Sequence, residues 1–262
     1  MSSLRELAED IEAHLPVPPG GAKAELADCV LVDNGIPYPA LCAAHRLRFG
    51  AGSIDERLEA VRAWFRERGR EEFTWWVGTS ATPGDLEARL RALGAEAFED
   101  EPVIASMALT APPPVVEDME IRLVESFDDF MVAREIAWDA SDFSEEQREA
   151  ARAVAPERWE FRQSSGDSAL YLAFVDGRPV ACGDVIFLPE AGFLCGAATL
   201  PEARGRGAFR ALVRARWDEA VRRGTPALLV GAGNMSRPIL ERIGFSTLAE
   251  IHVLLDRSNL SS

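Results

Sequence analysis

Two textures of apolar and polar residues alternate along this chain, and each has its own period. Short apolar runs flanked by turn residues read as strands, and apolar positions three and four apart read as helices. In the second half the textures succeed one another regularly. Residues 121–124 read as a strand, 127–140 and 145–163 as helices, and 169–175 as a strand. Asp176-Gly177 then reads as a hairpin turn between that strand and the next, 179–187. A strand over 193–200 and a helix over 207–223 follow. The helix carries Phe209, Leu212, Val213, Trp217, Ala220 and Val221 as one stripe to lay on a sheet. Residues 227–230 are nearly all apolar, as in a strand covered on both faces. A helix over 236–243 has Ser236 at its N-cap, Pro238 in its first turn and Gly244 just past its end. A strand over 251–255 closes the series.

The first half ends in a similar order: helix 54–68, strand 73–77, helix 85–93, strand 103–109. Trp76-Val77-Gly78 matches Leu229-Val230-Gly231. Leu90-Arg91-Ala92-Leu93-Gly94 matches Leu240-Glu241-Arg242-Ile243-Gly244, and Gly52 and Gly69 are spaced like Gly207 and Gly224. These echoes predict a diverged internal repeat. Between the halves, Thr110-Ala111-Pro112-Pro113-Pro114 fixes φ and removes donors, so no helix or central strand continues through it. The expected organisation is a domain over 1–110, a linker over 111–116 and a domain over 117–262. The mixture of helices and strands predicts an α/β class with a mixed sheet.

Composition narrows the partners. The 262 residues hold 28 Lys and Arg against 43 Asp and Glu, a net charge of −15. A field of that sign repels phosphate backbones, so nucleic acid is not an expected partner. Cys29, Cys42, Cys182 and Cys195 form no C-x-x-C pair, and the three histidines offer no ligand cluster, so no metal is expected. The charged first ten residues do not read as a signal peptide, and no apolar run approaches a membrane span. A reducing, cytoplasmic setting without membrane contact is expected.

One turn carries chemistry. Leu200-Pro201-Glu202-Ala203-Arg204-Gly205-Arg206-Gly207-Ala208 lies between a strand and a helix. Glycines admit φ > 0 and the close approach of a ligand. The following helix offers unpaired N–H groups and the positive end of its dipole. Arg204 and Arg206 add full charges, so the turn suits a pyrophosphate. No Gly-Lys-Ser/Thr follows, which excludes a P-loop, and the third glycine of the dinucleotide fingerprint is missing.

With the helix, strand, Asn234 loop, helix and Ile243-Gly244-Phe245 that follow, this turn resembles the GNAT superfamily of N-acetyltransferases over residues 117–257. The family's Q/R-x-x-G-x-G/A element maps onto Arg204 and Gly207, with Phe209 at the sixth position in place of Gly or Ala. The resemblance implies a GNAT fold in the second half and a diverged GNAT-like first domain, whose corresponding turn is Phe49-Gly50-Ala51-Gly52. It implies acetyl-CoA as co-substrate. Its pyrophosphate would lie on the backbone of Arg204, Gly205, Arg206, Gly207, Ala208 and Phe209. Its pantetheine would lie along Ala197, Ala198 and Thr199, with Asn234 touching CoA. The implied reaction is direct attack of an amine, of a small molecule or a peptide, on the thioester. The backbone near Thr199 would polarise the carbonyl. Leu240 stands where many members carry the tyrosine that protonates the leaving thiolate. Asp184 and Glu190, with Tyr171 and His252 behind them, are the candidate bases. The alternative is a non-catalytic acyl-CoA sensor that keeps the fold.

Overall fold

The computed structural model describes residues 4–50, 52, 54–141 and 143–257. The chain divides into two compact units. The first holds the chain up to Ser106, then Ala232–Arg237 and the segment from Thr247 onward. The second holds Met107–Gly231 and Pro238–Ser246.

The first unit begins with α1 (Leu4–Glu9), α2 (Ile11–His14), β1 (Ala22–Glu25), β2 (Val30–Asp33) and β3 (Cys42–His45). It continues with α3 (Ile54–Arg66), β4 (Phe73–Val77), α4 (Leu86–Ala92), β5 (Glu96–Ala97) and β6 (Val103–Leu109), within which the chain passes to the second unit. β1, β2 and β3 pair antiparallel, and β3 runs parallel to β4 with Ala43 opposite Thr74. The core gathers Leu58, Phe65, Phe73, Trp75 and Leu90, with the Phe65 and Phe73 rings stacked 4.2 Å apart.

The second unit carries β7 (Glu120–Leu123), α5 (Phe127–Ala140), α6 (Glu145–Ser165), β8 (Ser168–Val175), β9 (Arg178–Phe187), β10 (Gly192–Thr199), α7 (Ala208–Arg222), β11 (Leu228–Ala232) and α8 (Arg237–Ile243). β7, β8, β9 and β10 pair antiparallel in that order, and β11 joins β10 in parallel, so the sheet is mixed as expected. Side chains alternate between its faces. Cys182 packs with Phe130 and Ala133 of α5, and its neighbour Ala181 packs with Ala208 and Leu212 of α7. The helices α5 and α6 therefore share one face with Cys182, and α7 lies on the other.

The expected hairpin at Asp176-Gly177 is present, with φ of 51° and 75°. The expectation for α7 is corrected. The buried stripe of α7 runs through Ala208, Ala211, Leu212, Arg216, Trp217 and Ala220. Phe209 is only half-buried and Val221 is exposed. A charged residue inside the stripe displaced its apparent centre. Ser236 directly precedes α8, and its hydroxyl donates to the Gly233 carbonyl.

The last strand, β12 (Ser246–Asp256), was expected to close the second domain. It instead pairs antiparallel with β4, from His252 opposite Val77 to Asp256 opposite Phe73. Periodicity marks a strand but is silent about its partner. Asp256, 1% exposed, accepts from Trp75 Nε1 at 2.8 Å and from Arg62 Nε at 3.1 Å, which anchors the strand's end.

The repeated segments fold alike. Gly94 N donates to Arg91 O and Ala95 N to Leu90 O, and Gly244 N donates to Glu241 O and Phe245 N to Leu240 O. The ends of α3 and α7 show the same pair of bonds around Gly69 and Gly224. All four glycines have φ between 68° and 115°, the left-handed cap that closes a helix.

Candidate functional site

The turn between β10 and α7 has the geometry its sequence predicts. Gly205 and Gly207 take φ of 79° and 93°, and a Cβ built on Gly205 would meet nothing within 4 Å. Gly207 is the N-cap of α7 and supplies no side-chain acceptor, and the first turn of the helix holds no acidic residue. The leading N–H groups of a fifteen-residue helix thus lack side-chain caps at an open surface. Arg204 and Arg206 are exposed, and Arg206 Nη2 reaches Asp176 at 3.2 Å. Arg210 Nη2 lies 3.6 Å from where a Cβ on Gly207 would sit, so a third guanidinium borders the turn.

Upstream, β10 leaves its neighbour. It pairs with β11 only at Gly192 opposite Leu228 and Phe193 opposite Leu229. Beyond Phe193 the two strands diverge. Against β9 the register shifts between Cys195 and Ala198, a bulge in which Gly196 has φ of 55°. Ala197 is exposed, and Ala198 and Thr199 are half-buried. Among the described residues, the β11-side backbone from Leu194 to Thr199 has no strand partner, and such an edge suits an extended amide-bearing chain. Cys182 stands against the bulge, its Sγ 3.7 Å from Gly196 O. Burial raises this thiol's pKa, with the Arg134 charge opposing, which keeps it an unreactive packing group.

The candidate bases separate. Asp184, 8% exposed, is on β9 beside the bulge and accepts from Arg162 of α6, while its Oδ1 is buried without a donor. Glu190 is exposed in the hairpin at the far end of β10, roughly eight residues of strand or ~26 Å from Thr199. Tyr171 belongs to the cluster on the α7 face, where burial pushes its phenol up to about 12. His252 lies in the first unit, its Nδ1 2.7 Å from Glu87 Oε2, in a cleft of about 230 Å³ with Thr79 and Glu250. Asn234 is exposed in the turn after β11, in the segment that clusters with the first unit. Leu240 is 1% exposed, so its position serves packing.

Sequence reasoning passed over the arginines around Asp184. Arg216 of α7 is fully buried, donating from Nε to Leu212 O at 2.9 Å and from Nη1 to the Asp184 carbonyl at 3.0 Å. Burial pulls its pKa down to about 10. Gly183 leaves it room, because a Cβ there would stand 3.0 Å from Arg216 Cζ. From the opposite face comes Arg162 of α6, and on that face Arg134 of α5 follows Ala133, which packs with Cys182. The available signal was position: each of Arg134 and Arg216 sits inside an otherwise apolar helical stripe.

In the first unit, Phe49 is 2% exposed. Its N–H donates to Thr82 O, and its carbonyl accepts from Thr82 Oγ1, both at 3.1 Å. Ala51, the third residue of that turn, lies outside the described residues.

The family model described as Acetyltransferase (GNAT) family matches residues 131–245. No curated protein matches the chain in sequence. A GCN5-related N-acetyltransferase from Kribbella flavida superposes with a TM-score of 0.72 at 17% identity, covering 98% of this chain and 96% of that one. A tandem GNAT protein from the clavulanic acid biosynthesis pathway gives 0.63 at 16%, covering 95% and 87%. A GCN5-related N-acetyltransferase from Sphaerobacter thermophilus gives 0.60 at 16%, covering 87% and 80%. At these identities the likeness concerns the fold.

Proposed function

Because residues 131–245 form a GNAT acetyltransferase domain, we propose that this protein moves an acetyl group from acetyl-CoA to an amine of a small molecule or peptide. The observation that carries the reading is the conjunction of an uncapped, acid-free α7 N-terminus with a β10 edge that diverges from β11. Those two features fit the two chemically distinct parts of CoA. The backbone from Arg204 to Phe209, with the three guanidiniums, suits the pyrophosphate. The free edge from Ala197 to Thr199 suits the amide-bearing pantetheine arm. The domain reading that accompanies this proposal is a diverged GNAT-like domain over 1–110, a linker over 111–116 and the acetyltransferase domain over 117–262.

In the proposed reaction the lone pair of the acceptor nitrogen attacks the thioester carbonyl carbon. The C–S bond breaks, and the thiolate leaves with its electron pair. A backbone N–H near Thr199 polarises the carbonyl oxygen. The nitrogen's proton goes to solvent, which is adequate for an α-amine of pKa about 7.7–8.0. Asp184 is engaged by Arg162 through Oδ2 and is given no part in this proton transfer. A thiol of pKa about 8.5 departs without an acid, so Leu240 does not block the step. Among the described residues no helix is long and apolar enough to cross a membrane, and we place the reaction in the cytoplasm.

Calorimetric titration with acetyl-CoA, followed by free-thiol release across an amine panel, tests the reading. The expected result is one acetyl-CoA per chain and turnover well above hydrolysis. The packed Leu240 side chain favours a second reading, an acyl-CoA sensor without transfer. Binding without turnover on any acceptor selects the sensor, and absence of binding rejects both.

A further inference from the structure

The face of the second unit that carries α5 and α6 holds charged groups whose partners are missing. Arg134 Nε and Nη2 are buried with no acceptor. These are the two donors on one edge of the guanidinium, the edge that receives a carboxylate through two parallel bonds. Phe130, on the preceding turn of α5, lies 5.2 Å from Arg134 Cζ. The Arg134 charge acts on Cys182 and on Arg158 of α6. Arg134 follows Ala133 on α5, and Ala133 and Ala137 pack in one cluster with Cys182 and Ala198 at the β10 bulge.

An orphan of the opposite kind lies on the same face. Asp184 is two residues from Cys182 on β9, so both side chains point toward α5 and α6. Arg162 engages Oδ2, and Oδ1 is buried without a donor. A buried unmade hydrogen bond is destabilising, so two such groups on one face call for a complementary ligand. A simple amine would donate to Asp184 Oδ1 but leave the Arg134 edge without an acceptor. A molecule with a carboxylate and an ammonium a few bonds apart satisfies both.

Resting on the acyl-transfer reading, we propose that the acceptor is an amino-acid-like amine. Its carboxylate docks on the Nε–Nη2 edge of Arg134, and its nitrogen is oriented by Asp184 Oδ1 toward the β10 bulge. Arg134 is the specificity determinant, and Asp184 is a positioning group.

The experiment compares matched acceptors with acetyl-CoA present: α-amino acids, their carboxamides, and phosphoethanolamine. Free-thiol release gives kcat/KM, and thermal shift of the CoA-saturated protein gives binding of N-acetylamino acids and their amides. The expected result is a preference of at least thirty-fold for the free carboxylate over the carboxamide. In Arg134→Met that preference falls to within about three-fold, with acetyl-CoA affinity unchanged. Arg134→Lys, which keeps the charge without the paired edge, recovers part of it. Equal use of carboxylates and carboxamides, a preference for phosphoethanolamine, or a preference that survives Arg134→Met overturns the proposal. If acetyl-CoA binds and no acceptor turns over, the transfer reading has failed. The thermal-shift arm then still decides the carboxylate site: selective stabilisation by N-acetylamino acids, lost in Arg134→Met, supports it, and no discrimination from the amides rejects it.

Discussion

Each unit places a turn between a strand and a helix, β3 to α3 in the first and β10 to α7 in the second, and the two turns handle charge in opposite ways. At the start of α7 there are no acids, the cap is a bare glycine, and arginines gather. At the start of α3 stand Asp55 and Glu56, whose charges already complement the helix dipole. Phe49 occupies the place of Arg204, buried in the core, with its backbone bonded to Thr82. The contrast extends to the interiors. In the first unit Asp256 is closed by Arg62 and Trp75, and Asp33 by Arg70 and the Gly35 N–H. In the second, Arg134, Arg216 and Asp184 keep buried polar atoms without hydrogen bonds, against Arg62 Nη2 in the first, which still lies 3.0 Å from Asp256. Matched burial makes a unit rigid, and unmatched burial makes one ready for a ligand.

The largest effect expected of this comparison is on binding. Gly207→Glu adds a Cβ at φ of 93°, 3.4 Å from Val116 Cγ1, and sets a carboxylate where the pyrophosphate is proposed to lie. Acetyl-CoA affinity should fall at least a thousand-fold, about 4 kcal/mol, by calorimetry. Gly52→Glu, at a position with nothing within 4 Å, should leave affinity within two-fold. A comparable loss from both would break the contrast, since both turns would then bind. Stability comes next. Asp256→Ala leaves Arg62 and Trp75 Nε1 unpaired and should cost about 3 kcal/mol in urea unfolding followed by tryptophan fluorescence. Arg134→Met should cost less than about 1 kcal/mol, because it removes an unmade bond. Equal costs would mean that the interiors of the two units do not differ in kind.

A graded effect follows pH. Burial first, then the Lys23 charge, pushes the His45 imidazole down to about 3 from its ordinary 6.5. The unfolded chain takes up a proton below 6.5 that the folded chain refuses. Stability should therefore fall by about 1.4 kcal/mol for each pH unit of acidification between 6.5 and 3. His45→Gln should flatten that slope in thermal unfolding of the first unit. An unchanged slope would mean that His45 does not supply it.

Legibility followed the range of the interactions. The bounds of α5 were readable because Ser126 and Asp129 write its N-terminus locally, with the Asp129 N–H donating to Ser126 Oγ. β4 and β6 were readable because each is an apolar run bounded by polar residues. Residues 4–45 gave no periodic signal. β1, β2 and β3 have four residues each, and β2 and β3 are buried at every position, so no alternation survives. At the turn, glycines and arginines carry their meaning in one stretch of chain. Arg162 and Asp184 are brought together by a helix and a strand, and Arg134 reaches the same face of the sheet from a second helix. Nothing local joins those residues, and their charge reads as surface in any pattern of apolar and polar positions.

The pairing of β12 with β4 has a consequence for synthesis. The first unit owns residues at both ends of the chain, and about 150 residues separate Ser106 from the close of β12. At a translation rate of roughly 5–20 residues per second, its sheet waits some 8–30 s for its last strand. Through that interval the β4 edge that β12 will occupy stands open on the nascent chain. Ribosome stalling or premature termination late in the message would therefore harm the part of the protein that was made first.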